Sequence, residues 1–76
     1  MSTDEAPFRR IANELTAKIR SGELAPGAKL PSIRELAAAY DVSTGTASRA
    51  MVLLHDRELV IGQPGRGVYV AGASKT

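Results

Sequence analysis

The chain has 76 residues, of which 43% are hydrophobic, and its ten Lys and Arg against eight Asp and Glu residues give a formal net charge of +2. This length corresponds to one small domain, and so mild a positive charge does not by itself identify a nucleic-acid-binding protein. The absence of cysteine excludes disulfides and thiolate metal sites, and the lack of a signal peptide or a long apolar run predicts a cytoplasmic protein.

The first predicted helix covers about residues 7–21 and follows a flexible N-terminus of residues 1–6. Pro7 suits the first position of a helix, because the N–H that proline lacks would have no partner there. Gly22 is typical of a helix end. Apolar residues recur at helical spacing on one face, namely Phe8, Ile11, Ala12, Leu15 and Ile19.

A connector and a second helix come next. The dipeptide at residues 26–27, Pro then Gly, indicates a turn, and residues 28–30 fit a short strand. Ser32 and Glu35 have the spacing of a capping box, in which each side chain binds a backbone N–H of the first helical turn. The sequence therefore predicts a helix from Ser32 to about Tyr40.

Residues 33–52 have the pattern of two helices joined by a tight turn. Asp41 tolerates the left-handed conformation that such a turn requires, and Ser43 is a suitable N-cap for a third helix over about residues 43–57. The inward face of that helix consists of Ala47, Ala50, Met51 and Leu54. This is the helix-turn-helix pattern, whose second helix enters the DNA major groove, although an ordinary helical hairpin also satisfies it.

The remaining segment predicts a β-hairpin. Residues 59–61 and 68–70 read as two short strands, joined by a Gly- and Pro-rich loop at residues 63–67. The predicted fold class is α+β, mainly α: a winged helix-turn-helix with three helices followed by a two-stranded β-hairpin wing. It forms one domain over residues 7–70, followed by a flexible tail at residues 71–76.

Several separated motifs resemble the DNA-binding domain of the GntR family of bacterial transcription regulators. They are residues 19–22 (IRSG), the Pro-Gly pair at 26–27, residues 30–37 (LPSIRELA), the Val-Ser pair at 42–43 and residues 65–70 (GRGVYV). The resemblance implies a nucleoid-associated, sequence-specific regulator of transcription, expected to be a repressor. It would bind double-stranded DNA as a dimer on a palindromic operator.

The chain departs from the family pattern at three residues and in its extent. Asp41 and Glu58 replace glycines, and Thr44 replaces an arginine that often starts the recognition helix. Family members also carry a C-terminal effector-binding domain, which is not found in these 76 residues. The chain is either one domain of a longer regulator or a minimal stand-alone member.

Candidate DNA-binding residues fall on three elements. Helical spacing turns the first residues of the third helix away from its apolar stripe, towards the bases, where Arg49 could pair with guanine. Arg34 opposes the dipole at the start of its helix, which a phosphate would compensate. The wing would contact the minor groove or the backbone. The full set is Arg34, Ser43, Thr44, Gly45, Thr46, Ser48, Arg49, Gly65, Arg66 and Gly67.

Two other interpretations remain at this point. Arg49 could instead form an ion pair with Asp56 or Glu35, and a winged helix could serve as a protein-docking module. The alignment of arginines on three elements favours DNA. With His55 as the only histidine, we expect no enzyme activity, metal or cofactor.

Overall fold

A computed structural model describes residues 6–72. Its elements are α1 (Pro7–Ser21), α2 (Ile33–Tyr40), α3 (Thr44–Asp56), β1 (Val60–Gln63) and β2 (Gly67–Val70), and the two strands form one antiparallel sheet. The predicted fold class, three helices followed by a two-stranded wing, is confirmed. Most of the two ends predicted as flexible, residues 1–5 and 73–76, lies outside the described residues. Among the helices of residues 6–72, none is long and apolar enough to cross a membrane.

The core forms around α3, which packs against both α1 and α2. Ala47 and Ala50 are fully buried, and their small side chains let neighbouring elements come close to the α3 backbone. Buried residues of every element complete the cluster, namely Ile11, Ala12, Leu15, Leu30, Leu36, Ala37, Met51, Leu54, Val60 and Val70. The inward faces predicted from helical spacing are therefore confirmed.

The starts of α2 and α3 are capped as the sequence predicts. Ser32 accepts a hydrogen bond from the Glu35 N–H at 3.1 Å, and the Glu35 carboxylate accepts one from the Ser32 N–H at 2.9 Å. Ser43 accepts a hydrogen bond from the Thr46 N–H at 3.1 Å. Each cap satisfies a backbone donor that has no partner within its helix.

Two helix ends are closed by residues with positive φ that are not glycine. After α2, Asp41 has φ of 56° and Val42 donates to the Ala37 carbonyl. After α3, Glu58 has φ of 61° and Leu59 donates to the Leu54 carbonyl. This bond pattern is the Schellman motif, whose left-handed position usually holds glycine.

The wing begins one residue later than predicted and has a shorter loop. The N–H of Leu59 is used at the end of α3, so the strand ladder begins with the pair Val60 and Val70 and extends to Gln63 and Gly67. The Arg66 N–H donates to the Gln63 carbonyl at 2.8 Å. The predicted loop of five residues thus becomes a tight turn at residues 64–66.

The strand expected at residues 28–30 is reduced to a single bridge, between Lys29 and Tyr69. It nevertheless binds the free edge of β2, since Leu30 donates to the Val68 carbonyl and Val70 donates to the Ala28 carbonyl, each at 2.8 Å. β2 is therefore hydrogen-bonded along both edges.

Two side-chain hydrogen bonds connect α1 to the other helices. The Tyr40 hydroxyl donates to Glu14 at 3.0 Å, and Arg57 donates to the buried Thr16 hydroxyl at 2.9 Å. Burial raises the pKa of Tyr40 above its usual 10.0, and the hydrogen bond and negative charge of Glu14 raise it further. Neither bond is visible in the local sequence pattern.

Candidate nucleic-acid interface

The N-terminal half of α3 presents an exposed face free of acidic residues. Gly45, Ser48 and Arg49 are exposed on the side of the helix opposite to its buried stripe, with Thr44 beside them. Val52, 54% exposed, extends the same face by one turn. The face predicted to read bases is therefore exposed.

Ser43 and Thr46 bind each other at the start of α3. In addition to its capping bond, the Ser43 hydroxyl donates to the Thr46 hydroxyl oxygen at 3.1 Å. Thr46 is half-buried and lies at the side of the exposed face rather than on it. Its hydroxyl proton is left to donate to a further acceptor.

Arg49 packs on an aromatic ring of α1. Its guanidinium carbon lies 4.6 Å from the centroid of the Phe8 ring, within the range of a cation–π interaction. The ion pairs with Asp56 and Glu35 that the sequence allowed do not form, and Glu35 is engaged in the cap of α2. Within residues 6–72, the Arg49 side chain has no hydrogen-bond partner. Its N–H donors are therefore available.

Arg34 lies exposed in the first turn of α2, where the backbone N–H groups point out of the helix. Over the described part of the chain, its side chain forms no ion pair or hydrogen bond. The dipole of α2 disfavours a positive charge at this end and favours an anion. Arg34 and the N-terminus of α2 are thus placed to bind the same anion.

The wing tip lines a groove together with the start of α2. The groove is lined by Gly65, Arg66 and Gly67 of the wing, by Lys29, and by Ser32 and Glu35 of the α2 cap. Gly65 and Gly67 have positive φ of 77° and 126°, and a Cβ on Gly67 would lie 3.0 Å from Lys29 Cε. The positive φ of Gly67 favours glycine at this position, and the flexible end of the Lys29 side chain lies against it.

The structure thus divides the predicted set into two groups. Arg66 and the other wing residues share a groove with the start of α2, whereas Arg49 contacts Phe8 of α1. Sequence analysis did not predict the contact between Phe8 and Arg49, because the spacing of Phe8 marked it only as part of the apolar face of α1. A pairing between two helices distant in sequence leaves no signal in a single chain.

No alternative chemistry is indicated by the side chains of residues 6–72. No group of three or more His, Cys, Asp or Glu residues in this range could hold a metal ion. His55 lies on α3, with its Cε1 atom 3.7 Å from where a Cβ on Gly62 would be.

The sequence model of a family described as bacterial regulatory proteins, gntR family, matches residues 7–70. Among curated relatives, the HTH-type transcriptional regulator YdcR of Escherichia coli (strain K12) is 38% identical over 64 residues, which are 84% of this chain and 14% of that protein. The HTH-type transcriptional repressor YtrA of Bacillus subtilis (strain 168) is 32% identical over 69 residues, 91% of this chain and 53% of YtrA. The chain thus spans only part of the relatives it matches.

Solved structures of similar proteins have the same fold. YtrA from Sulfolobus acidocaldarius, a GntR-family transcription factor, is 33% identical with a TM-score of 0.85, and the match covers 99% of this chain and 63% of that one. AraR(DBD) in complex with operator ORE1 is 25% identical with a TM-score of 0.84, covering 93% of this chain and 89% of that one.

Proposed function

Because the chain belongs to the gntR family of bacterial regulatory proteins, we propose that residues 7–70 form a DNA-binding domain that represses transcription. The observations that carry this proposal are the exposed, acid-free first half of α3 and a wing turn that bears Arg66 and lines a groove with the start of α2. The similar AraR(DBD), solved with an operator, supports it. Such a protein would act in the bacterial cytoplasm, at the nucleoid.

Base recognition is assigned to the first half of α3. An α-helix fits the major groove, and small side chains at Gly45 and Ser48 let its backbone approach the base edges closely. Arg49 carries donors for guanine O6 and N7 or for a phosphate. Thr44 and Thr46 add hydroxyl groups on either side.

Phosphate contacts are assigned to the helix starts. Arg34 places its donors beside the N-terminus of α2, and Ser43 stands at the N-terminus of α3. Both N-termini favour an anion through the helix dipole and through the first-turn N–H groups that the Ser32 and Ser43 caps leave unpaired. These contacts would orient the domain on a duplex without reading its sequence.

The wing is assigned to the minor groove or the adjoining backbone. Arg66 is the only charged residue of the turn at 64–66, and the positive φ of Gly65 and Gly67 reflects a compact tip. Arginine is attracted to the narrow minor groove of A·T-rich DNA. The contact would add affinity beside the major-groove site.

Binding to labelled duplexes from a randomised pool and to single-stranded DNA, followed by fluorescence anisotropy at several salt concentrations, tests this function. We expect the chain to bind duplex DNA. The logarithm of its association constant should fall by about 0.9 per logarithmic unit of salt concentration for each phosphate contact. Arg34→Ala should reduce that slope by about 1. The matched control is Arg20→Ala, an exposed helix arginine at the far end of α1, which should leave the slope unchanged.

Absence of duplex binding at low salt would contradict the proposal. A protein-docking role would then be the interpretation to pursue, although no observation on the described residues favours it now. Equal affinity for single-stranded and duplex DNA would contradict recognition through the major groove.

A further inference from the structure

We propose that Phe8 is a positioning residue for DNA recognition, because its ring holds the Arg49 guanidinium at one side of the exposed face of α3. The proposal rests on the proposed function and adds to it a residue outside α3, α2 and the wing. Its basis is the 4.6 Å separation between Arg49 Cζ and the Phe8 ring centroid.

Stacking on Phe8 leaves the donors of Arg49 available to DNA. The Phe8 ring carries no oxygen or nitrogen acceptor, so contact with it takes up none of the conventional hydrogen bonds of the guanidinium. Within residues 6–72 no carboxylate or carbonyl occupies those donors. The same Arg49 side chain can therefore stack on Phe8 and bind a base edge or a phosphate.

Phe8 itself is fixed by the fold. It is half-buried, packs against the core cluster, and lies one residue after Pro7 at the start of α1. The Arg9 and Arg10 N–H groups donate to the Ala6 carbonyl, which orders this first turn. Since α1 packs on α3, the Phe8 ring lies on a helix that is held directly against α3.

A fixed ring lowers the cost of binding DNA through Arg49. A free arginine side chain samples many rotamers, and ordering it at an interface opposes association. Contact with Phe8 restricts Arg49 before DNA arrives. Removing the ring should therefore weaken DNA binding only when Arg49 is present.

A double-mutant cycle tests this dependence, with Phe8→Leu and Arg49→Ala alone and together. The probe is the fluorescein-labelled duplex that the wild-type chain selects from a randomised pool. We expect Phe8→Leu to weaken binding about two- to five-fold, as expected for an exposed cation–π contact, and to have no further effect in the Arg49→Ala background. Phe8→Tyr, which keeps an aromatic ring at this position, should bind with wild-type affinity.

A measurement on the free protein keeps the test independent of DNA and of small losses in stability. In NMR spectra recorded below the unfolding transition, the Arg49 side-chain protons should have upfield ring-current shifts in the wild type and in Phe8→Tyr. These shifts should be absent in Phe8→Leu.

Several results would overturn the proposal. They are an equal loss from Phe8→Leu in both backgrounds, full affinity of Phe8→Leu or of Arg49→Ala, no rescue by Phe8→Tyr, or Arg49 shifts that do not depend on the ring. In these cases the wild-type chain still binds its duplex and the proposed function stands. If the wild-type chain binds no duplex, both proposals fail.

Discussion

At the scale of single residues, the left-handed positions at the helix ends differ in how well their residues suit them. Asp41 carries a short polar side chain that tolerates positive φ, whereas Glu58 carries a longer one at φ of 61°. Both residues occupy the left-handed position of a Schellman motif, which is usually glycine. Glu58 is therefore a local source of strain.

Replacing Glu58 with glycine should stabilise the fold. We expect Glu58→Gly to raise the free energy of unfolding by about 1 kcal/mol, measured by urea denaturation, because the left-handed conformation no longer opposes a Cβ. Asp41→Gly is the matched control and should have a smaller effect. A loss of stability in Glu58→Gly would mean that its side chain contributes more than the backbone strain costs.

Arg66 allows a second test at the same scale. Arg66→Ala should weaken binding most on duplexes with A·T-rich flanks, because a narrow minor groove attracts arginine. Anisotropy titrations on duplexes that differ only in their flanks measure the effect. Arg20→Ala, an exposed arginine at the far end of α1, is the comparison. An unchanged affinity on every duplex would exclude a role for the tip.

Local chemistry explains which residues were predictable. The Ser32 and Glu35 cap, the Ser43 cap and the left-handed Asp41 depend on neighbours within a few positions, so their roles follow from spacing. The contact between Phe8 and Arg49 depends on how α1 packs against α3, and nothing in the spacing of either helix encodes it.

At the scale of elements, the bond between Tyr40 and Glu14 connects the end of α2 to α1. Because burial and Glu14 raise the pKa of Tyr40 in the folded state, the protonated phenol is favoured by folding. This contribution to stability is fully present below pH 10.0, the usual pKa, and is lost as pH rises through the folded-state value.

A comparison of wild type with Tyr40→Phe should reveal that dependence. We expect Tyr40→Phe to lower the free energy of unfolding by about 0.5–1 kcal/mol near neutral pH, and the difference to shrink above pH 10.0. Urea denaturation at both pH values measures it. Glu14→Gln, which removes only the charge, should reduce the pH dependence. A difference that stays constant with pH would contradict this assignment.

The helices were easier to predict than the strands for a physical reason. α1 begins at Pro7 and has Gly22 as its C-cap, and α2 lies between its Ser32 cap and Asp41, so the ends of both helices follow from local signals. β1 begins later than its apolar run because Leu59 closes the end of α3. The end of α3 and the start of β1 compete for the Leu59 N–H, and the folded arrangement decides which of them uses it. The run of apolar residues therefore predicted a strand that starts one residue too early.

At the scale of the whole molecule, we expect two copies to occupy a palindromic operator. Helix-turn-helix dimers bind half-sites about 34 Å apart, one turn of DNA, and a domain of 35 × 31 × 20 Å is small enough for one copy to fit on each half-site. Sedimentation of the selected duplex with excess protein should give two chains per duplex. Saturation by a single chain would contradict the palindromic arrangement.

The architecture was predictable as a whole because independent signals agreed. Three apolar periodicities, two serine caps and a Gly- and Pro-rich hairpin come in the order of a winged helix. The shape of the interface was less predictable from the sequence, because the approach of Lys29 to Gly67 depends on tertiary packing. Sequence therefore predicted which elements would form, whereas the contacts between them had to be observed.

The pairing of β2 along both edges affects the timing of an encounter with DNA. Residues 28–30 hold one edge and β1 holds the other, so the stem of the wing is already assembled when the protein meets a duplex. Association need not wait for this segment to fold. A change at Arg66 should instead shorten the residence time of the complex.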